Sequence, residues 1–199
     1  MADIIYTYKN NVYFNITNNC TCKCIFCVRN ERDAIGEASE LWHDHNPSFE
    51  EIKAAIDSFD FTKYEEAIFC GYGEPTCAYD NLIATAKYMK EQYPHILLRI
   101  NTNGLGERHN KKEIVSEMAK YIDFVSISLN APDAKRYQEV TRPCFDNAFV
   151  DMIDFARRSK DAFKEVKFSV VDVISEEEIA ASQKLADEMN IPLRVRKYT

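Results

Sequence analysis

Six short apolar runs, each separated from the next by a stretch with helical periodicity, constrain this chain more than any other feature of it. The runs are VYFNITN at 12–18, EAIFC at 66–70, ILLRIN at 96–101, DFVSISLN at 123–130, VKFSVVDVI at 166–174 and IPLRVRKY at 191–198. Between the first two, Ser48 and Glu51 form a capping box that opens a helix over 48–59, with Phe49, Ile52, Ile56 and Phe59 on one face. A second helix over 80–92 turns Leu82, Ile83, Ala86 and Met89 inward and stops before Pro94. Helices follow at 111–120, as two stretches within 133–160, and from Ser175, capped through Glu178, to 189. A parallel strand pair cannot be closed by a tight turn, so strands alternating with helices imply right-handed crossovers and a parallel sheet.

Six such units in 199 residues are too few for a closed eight-stranded barrel, which needs about 250 residues. The expected fold is therefore α/β, an open partial (β/α)6 barrel of parallel strands, preferred over a flat doubly wound sheet. With 46% apolar residues, 5 glycines and no low-complexity run, residues 1–199 read as a single domain. Within it, 1–14 holds an N-terminal strand or hairpin in which IIYTY pairs with the first run through KNN. In either sheet architecture ligands bind at the carboxyl ends of the strands, where the sequence places a cysteine-rich loop, GYGEPT, NTNG and SLN.

A formal charge of −7 and a pI near 5.2 give no support for a nucleic-acid binder, whose phosphate contacts need clustered Lys and Arg. No run approaches the roughly 18 apolar residues of a membrane helix, and MADIIYTYKN lacks the basic and apolar segments of a signal peptide. The expectation is a cytoplasmic protein without a membrane partner. Seven cysteines, four of them within residues 20–27, fit metal ligation better than a disulfide scaffold.

The loop NNCTCKCIFCVRN offers both Cys20-x3-Cys24-x2-Cys27 and the overlapping Cys22-x-Cys24. Structural zinc sites usually split their ligands into two separated pairs, and only His43 and His45 in the polar insertion at 29–47 stand near enough to supply a second pair. A 4Fe-4S cluster with three protein thiolates leaves one iron open to a ligand. The spacing alone leaves both metals open.

Cys20, Cys24 and Cys27, with the aromatic Phe26 before the third cysteine, match the CxxxCxxC signature of the radical S-adenosylmethionine (SAM) superfamily. GYGEP at 71–75 resembles that superfamily's GGEP turn, with Tyr72 in place of a glycine, and NTNG and SLN resemble its third and fourth strand ends. Together, NITNNCTCKCIFCVRN, FCGYGEPT, RINTNG and SLNAPDAKRYQEVTRP most resemble the small radical SAM proteins associated with TatD-type hydrolases. The resemblance implies a 4Fe-4S cluster on Cys20, Cys24 and Cys27, with its fourth iron chelated by SAM. It also implies a 5′-deoxyadenosyl radical that takes hydrogen from an unidentified substrate, and a one-electron donor such as flavodoxin or ferredoxin. Phe26, Val28, Gly71, Tyr72, Gly73, Glu74, Asn101, Ser126, Ser128 and Asn130 are the implied SAM contacts. Val171 or Val173 would wall the adenine, and no catalytic side chain is assigned.

The competing readings are a glycyl-radical-type activase acting on a partner protein and a noncatalytic iron-sulfur or zinc module. Cys70, Cys77 and Cys144 lack the spacing of an auxiliary cluster and read as small buried hydrophobes. His43 and His45 read as surface histidines, with substrate contact the sharper alternative. Arg142, Arg194 and Arg196 read as surface arginines or as partners of a carboxylate or phosphate in the site.

Overall fold

The computed structural model describes residues 2–198. Its strands are β1 (Ile5–Tyr8), β2 (Asn11–Phe14), β3 (Glu66–Phe69), β4 (Leu97–Thr102), β5 (Phe124–Ser128), β6 (Glu165–Val171) and β7 (Leu193–Arg196). Its helices are α1 (Phe49–Ser58), α2 (Tyr79–Gln92), α3 (Gly106–Asn110), α4 (Val115–Met118), α5 (Ala134–Thr141), α6 (Ala148–Ala162) and α7 (Glu176–Glu188). All seven strands join one sheet in the order β1-β2-β3-β4-β5-β6-β7; only β1 is antiparallel, and β2 to β7 run parallel.

Strand order equal to sequence order means that each crossover advances the same way. A doubly wound sheet reverses direction midway, so the barrel-type alternative is the one realised. Crossovers of one hand then put the helices on one face. Val12, Phe14, Phe69, Leu98, Ile100, Val125, Ile127, Phe168 and Val170 point to that face and form the main core with Ile52, Leu82, Met89 and Phe155. The alternate positions, Tyr13, Arg99, Asn101, Ser126, Ser128, Lys167 and Ser169, point to the opposite, concave face.

The hairpin forms as expected: Lys9 and Asn10 both take left-handed backbone, φ 47° and 65°, the two-residue turn that matches strand twist. Both capping boxes are present, at Ser48 with Glu51 and at Ser175 with Glu178. Of the single helix expected over 111–120 only α4 forms; the short α3 precedes it and ends at Lys111, whose φ is +53°. Asn110 ends α3 by donating its amide to the Gly106 and Thr76 carbonyls, a local bond that competes with helix continuation. The first run leaves the sheet at Phe14, and Asn15 to Thr17 continue as buried irregular chain toward the cysteines. The fifth run ends at Val171.

Candidate active site

The GYGEP turn is packed onto the chain that leads into the cysteine loop. A Cβ at Gly71 would lie 2.2 Å from Asn15 Oδ1, and one at Gly73 would lie 2.2 Å from the Thr17 carbonyl oxygen. Close approach of two backbone segments therefore demands these glycines, whatever a ligand also requires. Asn15 Oδ1 accepts from the Tyr72 N–H at 3.2 Å, and the Asn19 carbonyl accepts from the Glu74 N–H at 2.8 Å. On its other side the loop runs along the end of α5: Lys23 N–H donates to the Thr141 carbonyl, Ile25 N–H to Val140, and Cys144 N–H to Thr21.

Glu74 joins these pieces from inside. Its carboxylate is buried, with Oε1 accepting from Thr76 N–H (3.1 Å), Thr76 Oγ1 (2.8 Å) and Thr102 Oγ1 (2.8 Å), and Oε2 accepting from Asn103 N–H (2.7 Å). Burial raises its pKa, while those donors hold it down. Glu74 thus ties the second motif to NTNG, and Asn103 continues the chain of contacts by donating from Nδ2 to Thr21 Oγ1 at 2.9 Å. Asn103 Nδ2 also lies 3.9 Å from Cys20 Sγ and 3.6 Å from Cys22 Sγ.

All seven cysteines are free. Cys22 is buried within the main core, and the interaction of its thiol with Cys24 is the main influence that lowers Cys24 below the usual thiol value. Cys20 keeps a solvent-facing side, but surrounding protein, with the Glu74 charge adding to it, pushes its thiol up to about 12. Burial raises Cys27 as well. The countercharge is Arg29. Its guanidinium donates to the carbonyls of Asn18 (3.3 Å), Tyr72 (3.2 Å) and Cys22 (3.5 Å), stands 5.8 Å from the Trp42 ring, and lowers Cys20, Cys24 and Cys27. An open cavity of about 740 Å³ is lined by Cys24, Cys27, Arg29, Trp42, Lys23 and Arg142. A second, of about 550 Å³ between α3 and α6, is lined by charged groups that include the paired Arg108 with Asp151 and Arg158 with Glu107, away from the cysteines.

Behind the loop, strand register aligns the polar concave residues. Asn101 neighbours Ser126, Ser126 neighbours Lys167, and Ser128 neighbours Ser169. Asn130, buried and left-handed at φ 57°, receives its place from its N–H bond to the Ser169 carbonyl at 3.2 Å. Its Oδ1 is buried without a hydrogen-bond partner among the described residues, a cost of about 1–3 kcal/mol unless a ligand donates to it. Burial raises the thiol of Cys70, also concave, while Asn101 acts to lower it. Val171 follows Ser169 on that face, whereas Val173 and Phe26 pack against the main core. Val28 and Tyr72 pack with Tyr6 and Leu41 in a smaller cluster. The structure thus gathers the cysteines, Gly71, Gly73, Glu74, Asn101, Ser126, Ser128, Asn130 and Val171 at one edge, and turns Val173 and the Tyr72 ring away from it.

His43 is not a surface residue: it is 8% exposed, its Nε2 donates to the Asn15 carbonyl at 2.8 Å, and burial lowers its pKa. His45 is exposed and pairs with Glu51 at 2.9 Å. Nor is Cys144 buried. Arg29 and Asn103 are the organising residues that sequence reasoning passed over, although both stand inside quoted motifs, CVRN and NTNG.

The loop's three spaced thiols, Cys20, Cys24 and Cys27, are the donor type that suits an iron-sulfur cluster. Among the described residues no three His, Cys, Asp or Glu side chains converge to hold one metal ion, whereas a cluster asks each of three thiolates to hold a different iron. The orphaned Asn130 oxygen supplies an acceptor on the concave face beneath.

Comparison with known proteins agrees. The sequence model of the Radical SAM superfamily matches residues 14–186. A Methanocaldococcus jannaschii protein, MJ1227, named as a candidate glycyl-radical enzyme activating enzyme, is 28% identical over 167 residues, 80% of this chain and 61% of its own. Streptococcus suis SuiB bound to its precursor peptide SuiA superposes with a TM-score of 0.67 at 20% identity, covering 98% of this chain and 40% of SuiB. Methylornithine synthase (PylB) superposes at 0.64 and 15% identity, over 95% of this chain and 53% of its own. These structures share the fold, and the chain spans less than two thirds of each relative's length.

Proposed function

The chain belongs to the radical SAM superfamily, and from that premise we propose that it is a radical SAM enzyme holding a 4Fe-4S cluster on Cys20, Cys24 and Cys27. SAM would lie over the concave row, with its polar groups on Asn130, Ser128, Ser126, Asn101 and the Gly71–Gly73 backbone, and Val171 beside the adenine. The chemistry such groups supply is one-electron cleavage of the sulfonium, yielding methionine and a carbon radical that takes hydrogen from a substrate. The chain's own residues have four tasks. Arg29 balances the thiolates, Cys22 lowers the pKa of Cys24, Glu74 fixes the loop against NTNG, and the 29–47 insertion limits water at the rim.

The observation that carries this reading is the convergence of three separate sequence motifs through Glu74, Asn103 and Arg29 on one strand-end site. The four quoted motifs support placement with the small TatD-associated radical SAM proteins. The unbroken seven-stranded sheet supports one domain. Seven free cysteines are in keeping with a reducing, cytoplasmic setting, the family's one-electron chemistry supports a donor of the flavodoxin or ferredoxin kind, and no helix of the described residues is long and apolar enough to cross a membrane. A second reading, activation of a glycyl-radical partner protein, is favoured by the similarity to the M. jannaschii protein.

Anaerobic reconstitution tests the assignment. About four irons and four sulfides per chain are expected, lost in Cys20→Ala, Cys24→Ala and Cys27→Ala and kept in Cys22→Ala. Reduced protein given SAM alone is expected to release 5′-deoxyadenosine slowly. Stoichiometric zinc without sulfide in strictly anoxic protein would end the proposal.

A further inference from the structure

The concave face is not evenly charged. Near the amino ends of the strands its cations are matched: Arg99 makes two bonds to Glu66 (2.9 and 2.8 Å), and Lys167 pairs with Glu165 at 2.9 Å. Toward the carboxyl ends stand Arg194 and Arg196 of β7, neither with a carboxylate partner among the described residues. Their direction is set by register. Arg194 neighbours Ser169 and Arg196 neighbours Val171, both concave, while Leu193 packs against the helix-side core. Charges on an edge strand commonly serve to deter pairing. These two, however, project from the concave side of the sheet, the side that carries Ser169 and Val171. Residues two apart on a strand project side by side about 7 Å apart, a spacing that lets two guanidinium groups close on one oxyanion. Both arginines are exposed on the open concave face, and in a chain of net charge −7 two such cations without a carboxylate partner among the described residues form a local positive patch that attracts an anion.

We propose that Arg194 and Arg196 form an anion subsite that holds a carboxylate or phosphate of the substrate, with Ser169 beside it and the cofactor row of Ser128 and Asn130 next along the sheet. This rests on the reading of the concave face as the radical chamber and adds the substrate's chemical class. The subsite fixes the anionic end at β7, so the carbon to be attacked lies between it and the strand ends that carry Ser128 and Asn130.

The test is a titration of anaerobically reconstituted protein, first without and then with saturating SAM, with inorganic phosphate and, separately, glutarate, following the arginine Nε–H resonances by 15N NMR. Saturable shifts of the Arg194 and Arg196 signals are expected with at least one probe, weakened about tenfold or more in Arg196→Gln and in Arg194→Gln. Response to phosphate alone marks a phosphorylated substrate, and response to glutarate alone a carboxylate. Shifts that do not saturate, or that fall only on Arg29 and Arg142, overturn the subsite. So does displacement of both probes by SAM itself, which would make these arginines holders of the cofactor's carboxylate. If SAM is not cleaved by the reduced protein while the two arginines still bind a probe, the radical reading fails and the anion site stands.

Discussion

Glu74 shows how much one residue decides. The sequence marks it as part of a ligand-binding turn, yet both its oxygens are already engaged by Thr76, Thr102 and Asn103. In Glu74→Gln, an amide NH2 must face either the Asn103 N–H or the threonine donors, leaving a buried donor unsatisfied. We expect a loss of about 1–3 kcal/mol in urea unfolding with little change in slope. Glu74→Gln with wild-type stability would show that the network is not structural. The cysteine motif was legible because its spacing is local. The partners of Glu74 were not, since Asn103 lies 29 residues away and only the fold brings it near.

Among the elements, the 29–47 insertion gains order that its composition does not announce. Tyr72, in place of a motif glycine, is its anchor: the phenol donates to the Arg32 carbonyl, and the ring meets Trp42 edge-on at 5.2 Å. His43 closes it from below as a neutral donor to Asn15. Unfolded, this histidine titrates near 6.5; buried, it titrates lower. Between those values the opened segment binds a proton that the closed one does not, so stability of the closed form falls as pH drops below about 6.5. Trp42 is the chain's only tryptophan, so its fluorescence should report opening as pH falls below about 6.5, with the transition lost in His43→Gln. A flat Trp42 signal over that range would contradict the role given to His43. Helix starts with capping boxes were legible for the same reason as the cysteines, whereas the break between α3 and α4 depends on Asn110 reaching Thr76 on another element.

For the whole molecule, strand alternation with helices foretold the parallel sheet, and length argued against closure. The order of strands, which separates barrel from doubly wound sheet, follows from packing between distant elements and is not written in any local pattern. The central claim is that three thiolates at the rim and the orphaned Asn130 acceptor on the concave face serve one site. Electron paramagnetic resonance of the one-electron-reduced, reconstituted protein tests it most directly. Saturating SAM should change the cluster signal in wild type, and Asn130→Ala should need about 5- to 150-fold more SAM for the same change while keeping its iron. A wild-type spectrum unaltered by SAM at any concentration would contradict the account.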